Sequence, residues 1–250
     1  MSATPLTNGT QITQYRYYDL LMAAFVTVLL CANLIGPAKV CELELPFAIP
    51  IIGATMIFGA GNIFFPISYI FGDVLTEVYG YARARKVIWV GFAAMIFATA
   101  MAQTVLSLPT SPSEPYNEVL QPALVTVFGN TWRIVVASMV AFWIGDFVNA
   151  YVLARMKVAM AGRHLWMRTI GSTILGQGID SLIFYPIAFY GIWENSVLFA
   201  VLLFNWSFKV GIEVLMTPAT YATVAFLKRR ENVDFYDDQT DFTPFAIDDR

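Results

Sequence analysis

WRIVVASMVAFWIGDFVNAYVLA, residues 132–154, decides the fold. After Arg133 the run is apolar, apart from Ser138, Asp146 and Asn149. A helix needs about 20 mainly apolar residues to cross the hydrocarbon core of a bilayer. This stretch is long enough, and it carries an ionisable group within its length. Such a group is costly in lipid, so it must face a protein interior or a water-filled cavity.

Similar runs recur on both sides. We read six spans, at 18–36, 58–79, 87–106, 132–154, 169–190 and 197–226. The fold class is therefore all-α, a polytopic membrane protein with six transmembrane helices. The stretch 38–62, with Pro46, Pro50, Gly53, Gly59 and Gly61, is expected to be irregular or re-entrant. The run 20–35 lacks a small-residue cleavage site and reads as a retained first span. Residues 1–15 are expected to be a flexible cytoplasmic N-terminus, 16–230 the transporter domain and 231–250 an acidic cytoplasmic tail. The segment 107–121, with Pro109, Pro112, Pro115, Glu114 and Glu118, reads as an external loop.

Composition agrees. The chain has 250 residues, 58% hydrophobic and 13% charged, with mean hydropathy +0.62. Soluble proteins carry about 25% charged residues. Two cysteines, Cys31 and Cys41, make no disulfide framework, and the single His164 makes no histidine metal cluster. No nucleophile elbow, zinc-protease motif or P-loop occurs, so neither hydrolysis nor ATP-driven work is indicated. Basic residues fall on alternate sides. Arg16, Arg83, Arg85, Lys86, Arg155, Lys157, Arg163, Arg168, Lys228, Arg229 and Arg230 share one side, against Lys39 and Arg133 on the other. This asymmetry puts both termini in the cytoplasm.

The candidate site residues are the polar and ionisable groups in the spans: Asn33, Asp73, Glu77, Asp146, Asn149, Gln177, Asp180, Lys209 and Glu213. A cavity lined by them suits a polar solute. Each also has a plainer reading. Glu77 can reach the interface near Arg83 and Arg85. Lys209 and Glu213, four residues apart, can neutralise each other on one helix face. Asn33 can bridge two helices, and Gly171, Gly176 and Gly178 can be close-packing positions. Phe64, Phe65, Tyr69, Phe184 and Tyr185 lie near the acids and can stack on a flat ring. Gly72-Asp73-Val74-Leu75-Thr76 is echoed by Gly145-Asp146-Phe147-Val148-Asn149, a weak sign of an internal repeat.

The run Phe65-Pro66-Ile67-Ser68-Tyr69-Ile70-Phe71-Gly72-Asp73-Val74-Leu75-Thr76-Glu77-Val78-Tyr79-Gly80, with Ala84-Arg85 after it, resembles the signature of the queuosine precursor transporter family, also called the vitamin uptake transporter family. Asn33 and Lys39, Asp146 with Asn149, Ser172-Thr173, Gly176-Gln177, Asp180-Ser181, and Lys209, Glu213 and Pro218 match its other patterns. Gly72 departs from the Thr common there. The resemblance covers roughly residues 15–230. It implies uptake of 7-cyano-7-deazaguanine, 7-aminomethyl-7-deazaguanine and in some members queuine, by a carrier or facilitator in the bacterial inner membrane. A carboxylate suits the N–H edge of such a base. The expected partners are a 7-deazapurine substrate and membrane lipid, without nucleic acid, cofactor, metal or ATPase partner; a homodimer stays open. The competing readings are a binding subunit that needs a separate ATPase module, and an intramembrane enzyme.

Overall fold

The computed structural model describes residues 15–34, 40–49, 53–59, 64–129 and 132–246. The expectations for residues 1–14, Pro37, Lys39, Pro50, Gly61 and the end of the tail lie outside them. The helices are α1 (Tyr18–Leu34), α2 (Phe65–Tyr79), α3 (Tyr81–Ser107), α4 (Asn117–Phe128), α5 (Trp132–Ala159), α6 (Leu165–Phe189) and α7 (Asn195–Glu231).

Among the described residues three helical segments are long and apolar enough to cross a membrane: Tyr81–Ser107, Arg133–Ala159 and Asn195–Glu231. Helix α1 is apolar but shorter. Large apolar side chains face outward, and the interior combines an apolar core with charged groups. Phe97 is 70% exposed and Leu215 72%, whereas Asp73, Glu77, Lys157, Arg168 and Glu213 are buried. A water-soluble protein has the reverse arrangement. Lipid makes this one stable, because it solvates the apolar exterior and leaves the charged groups to one another.

The sequence reading needs correction between the first and second spans. Phe58 is not in a helix. It lies in β2 (Gly53–Gly59), which pairs antiparallel with β1 (Val40–Ile49). Pairing is regular from Val40 opposite Gly59 to Glu44 opposite Thr55, then irregular between Glu44 and Ile49. Pro46 falls in that irregular part, as expected of a residue with no N–H to donate. The second span thus shrinks to the 15 residues of α2, about 22 Å at 1.5 Å per residue. That is less than the roughly 30 Å of a hydrocarbon core. The external loop also contains structure. From Asn117 the chain forms α4, which rests on α3 through Gln121 Nε2 donating to the Leu106 carbonyl at 3.0 Å.

Helices α5 and α6 approach most closely where both carry glycine. A Cβ on Gly176 would lie 2.7 Å from Asn149 Cβ and 2.9 Å from the Gly145 carbonyl oxygen. The close-packing reading of Gly176 therefore holds, and this contact brings α5 and α6 near enough to share a polar site.

The basic helix ends gather at one end of the bundle, where the tail returns over them. Phe235 N–H donates to the Val78 carbonyl at 3.3 Å. Tyr81 N–H donates to Asp237 at 3.0 Å. Arg85 donates to the carbonyls of Asp241 (2.7 Å) and Thr243 (2.8 Å), and Trp89 Nε1 to that of Pro244 (2.8 Å). Gly80 joins α2 to α3 with φ +87°, and the Phe235 ring occupies the space its side chain would need.

Candidate substrate site

Four helices present polar residues at one-turn spacing toward the bundle interior. Helix α2 supplies Tyr69, Asp73 and Glu77; α5 supplies Asp146 and Asn149; α6 supplies Gln177 and Asp180; α7 supplies Lys209 and Glu213. Their bonds define three tiers.

In the first tier Lys209 Nζ donates to Asp180 Oδ2 at 2.5 Å and to Gln177 Oε1 at 3.0 Å. It stands 5.7 Å from the centroid of the Tyr69 ring. The expected Lys209–Glu213 neutralisation within α7 is not what forms, since Lys209 reaches across to α6. Asp146 lies within electrostatic reach of Asp180 and Lys209.

In the second tier Asn149 Nδ2 donates to Asp73 Oδ1 at 2.7 Å. Asp73 Oδ2, Asn149 Oδ1 and both Glu213 carboxylate oxygens are buried without a hydrogen-bond partner among the described residues.

The third tier is a charge cluster around Glu77. Its Oε1 accepts from Arg168 Nη2 at 2.8 Å and Lys228 Nζ at 2.7 Å, with Lys157 Nζ at 3.6 Å. Arg83 and Arg85, the partners suggested by proximity in sequence, go elsewhere. Arg83 stacks over Tyr15 at 4.5 Å, and Arg85 holds the tail. Lys157 and Lys228 also bind Asp234, at 2.6 and 2.8 Å. Burial alone would raise the Asp234 carboxyl, but these two lysines outweigh it and hold it below the usual carboxylate range. At Asp237 burial prevails over the bonds from Thr240 and Tyr81, and its carboxyl is pushed up.

A narrow cleft beside the tiers is lined on its polar side by Ser68, Tyr69, Thr76, Asp146 and Asn149, and otherwise by apolar groups of α1, α2, α3 and α5, Phe25 and Val87 among them. It has room for about one water molecule. Both halves of the Gly-Asp echo line it, Gly72 and Thr76 from α2 and Asp146 and Asn149 from α5. Asn33 lies apart from the tiers. Its Nδ2 donates to the Leu29 carbonyl at 2.9 Å, and its Oδ1 accepts from Ser138 at 3.0 Å, which ties α1 to α5. Sequence reasoning did not single out Arg168, Lys157 or Lys228 as site residues. They count toward topology as basic loop and helix-end residues, and only the fold brings them onto Glu77.

An apolar exterior around tiers of interior charge defines an integral membrane protein. The chain belongs to the putative vitamin uptake transporter family, whose model matches residues 59–223. It is 31% identical over 199 residues to the "Probable queuosine precursor transporter" of Bacillus subtilis, covering 79% of this chain and 84% of that one. It is 26% identical over 171 residues to the "Queuosine precursor transporter" of Escherichia coli, covering 66% and 71%. A "Probable queuosine precursor transporter" of Haemophilus influenzae is 28% identical over 131 residues, covering 52% and 51%. No solved structure matches significantly.

Proposed function

We propose that this chain carries 7-deazaguanine precursors of queuosine across the bacterial cytoplasmic membrane as a secondary carrier or facilitator. The observation that carries the reading is the set of polar groups that α2 and α5 bring to one cleft. A carboxylate (Asp146), an amide (Asn149) and an aromatic ring (Tyr69) face it together, in a chain similar to proteins named for this substrate. A guanine-like edge presents adjacent N–H donors, which a carboxylate accepts in pairs. Tyr69 offers the ring a stacking face. The Gln177–Lys209–Asp180 group beside it can exchange its internal bonds for bonds to the base. The cleft is narrower than a purine, so loading requires α2 to move away from α5. Alternation between closed and open states is what a carrier needs. Glu77, with its ring of cations, is assigned to holding the helix ends, and Asn33 to joining α1 and α5.

Six crossings by α1, α2, α3, α5, α6 and α7 complete the proposal, with both termini cytoplasmic. The gathering of Arg83, Arg85, Lys157, Arg168 and Lys228 with the tail at one end of the bundle supports it. No ATPase partner is required in this scheme.

The test is binding of 7-cyano-7-deazaguanine and its des-amino analogue to wild type and to Asp146→Asn. Losing one acceptor and gaining a donor should weaken the deazaguanine by about 1–3 kcal/mol, ten- to a hundredfold. The analogue should be affected much less. Equal effects on both ligands, or none on either, would remove Asp146 from the site.

A further inference from the structure

The carboxylates inside this bundle differ in what faces them. Glu77 is ringed by Arg168, Lys157 and Lys228, and Asp180 is bonded to Lys209. Each has its counter-charge supplied by the protein. Among the described residues Asp73 and Glu213 have no ion-pair partner. Asp73 is 0% exposed and Glu213 1%. Helix α2 packs on α7, which carries Glu213 within electrostatic reach of Asp73. The other charged groups acting on Asp73 are Asp146 from α5 and Glu77 from its own helix, so all three are carboxyls. Three cations on α6 and α7 are committed elsewhere, Lys209 to Asp180 and both Arg168 and Lys228 to Glu77. Helices α1 and α3 also touch α2, and Asp73 bonds to neither. Three carboxylate oxygens of the pair, Asp73 Oδ2 and both of Glu213, have no partner among the described residues.

We infer that Asp73 and Glu213 are the proton-carrying site of a proton-coupled transport cycle, in which the pair binds one proton from outside and releases it to the cytoplasm with each substrate. Two buried carboxylates with unpartnered oxygens, on helices that pack together, lose their hydration if both are ionised and repel each other across the low-dielectric interior. A proton is the one cation that needs no space, and it leaves a neutral carboxyl beside a single carboxylate. The link to the cleft is Asn149. Its Nδ2 donates to Asp73, its Oδ1 is unpartnered, and the residue lines the cleft. An ionised Asp73 offers only acceptors, whereas a protonated one also offers a donor. Asn149 can answer either by turning its amide, which reverses what it presents to a base in the cleft. Substrate and proton thereby sense each other through one side chain. Tyr69 and Glu77, one turn to either side on α2, tie the same helix to Lys209 and to the cytoplasmic cluster. Movement of α2 would therefore expose Asp73 and the cleft together.

This inference rests on the transport reading, and its test separates the two. Purified full-length chain is reconstituted into vesicles with a pH dye inside and the membrane potential clamped. Exchange of labelled for unlabelled 7-cyano-7-deazaguanine without any gradient tests transport itself. The proton inference expects lumen acidification on substrate entry. It also expects accumulation that approaches about tenfold for each pH unit of outside-acid gradient at one proton per neutral substrate. In Glu213→Gln, whatever exchange remains should be indifferent to the gradient. Asp73→Asn serves the same purpose if that variant does not fold. Exchange in wild type with no acidification and no response to the gradient overturns the inference and leaves the carrier reading standing. Accumulation driven by sodium instead, or gradient-driven accumulation in both variants, overturns it as well. Absence of exchange in wild type overturns both.

Discussion

Replacing Glu77 by Gln should destabilise the protein more than any other single change in the charge cluster around it. The side chain is 1% exposed, and one of its oxygens accepts from both Arg168 and Lys228. Arg168 and Lys157 are themselves 1% exposed, so loss of the carboxylate leaves two cations buried without it. Breaking a buried ion pair from one side costs about 3–5 kcal/mol. The lower end applies here, because the cations keep other acceptors. Lys157 retains the Glu77 carbonyl at 2.6 Å and Asp234, and Arg168 retains the Arg163 carbonyl at 2.7 Å. We expect about 3 kcal/mol, measured as reversible unfolding in mild detergent. Arg168→Gln alone should also destabilise. The double variant should lose less than the two singles together, by about 0.5–3 kcal/mol, since neither charge is then stranded. A Glu77→Gln loss below about 1 kcal/mol, or strict additivity in the double variant, would refute the reasoning. So would a Glu77→Gln variant of normal stability that fails to bind substrate, because Glu77 would then belong to the cleft.

The glycine contact gives a paired prediction: Gly176→Ala should lose about 1–3 kcal/mol, because its Cβ would meet Asn149 at 2.7 Å, whereas Gly211→Ala should be neutral or slightly stabilising, with nothing within 4 Å. Unfolding free energies that rank the two the other way would remove the α5–α6 contact as the reason for Gly176. For the tail, Asp234 is held low, so its contribution to docking is present above its unfolded value of about 3.9 and is lost as pH falls through its lower docked value. Asp237 is raised, so its contribution has the opposite sign, present below about 3.9 and fading as pH rises through its docked value. Asp234→Asn should therefore loosen the tail at neutral pH, by about 1 kcal/mol for a side chain 44% exposed, and Asp237→Asn should not. Hydrogen exchange of residues 235–245 reads this out, and equal loosening by both variants would contradict it.

The membrane class and the interior placement of most candidate site residues were legible in the sequence because lipid penalises charge so heavily. Asp73, Asp146, Asp180, Lys209 and Glu213 stand out from their apolar surroundings, and all lie in the bundle interior or on its cleft. Their pairings were not legible. The spacing of Lys209 and Glu213 favours a bond within α7, but spacing on one helix says nothing about the rotation of the next. Close packing at Gly145 and Gly176 holds α6 beside α5, and α6 carries Asp180 to Lys209. The same limit applies to Glu77, whose cations come from segments up to 151 positions away. The hairpin was missed as a strand pair because residues 40–59 are apolar and interrupted by Gly and Pro. That composition reads equally as an irregular approach to a helix. The tail's acidity was plain, but its docking was not. Docking depends on Asp234 and Asp237 meeting helix ends that lie far away in sequence.

The central claim is that this chain moves 7-deazaguanines across a bilayer by itself, and uptake by vesicles that contain only this protein tests it most directly. Labelled 7-cyano-7-deazaguanine should enter saturably without ATP, and 7-aminomethyl-7-deazaguanine should compete while adenine should not. Uptake no greater than in empty vesicles by folded protein, or uptake that begins only when an ATPase module and ATP are added, would contradict the account.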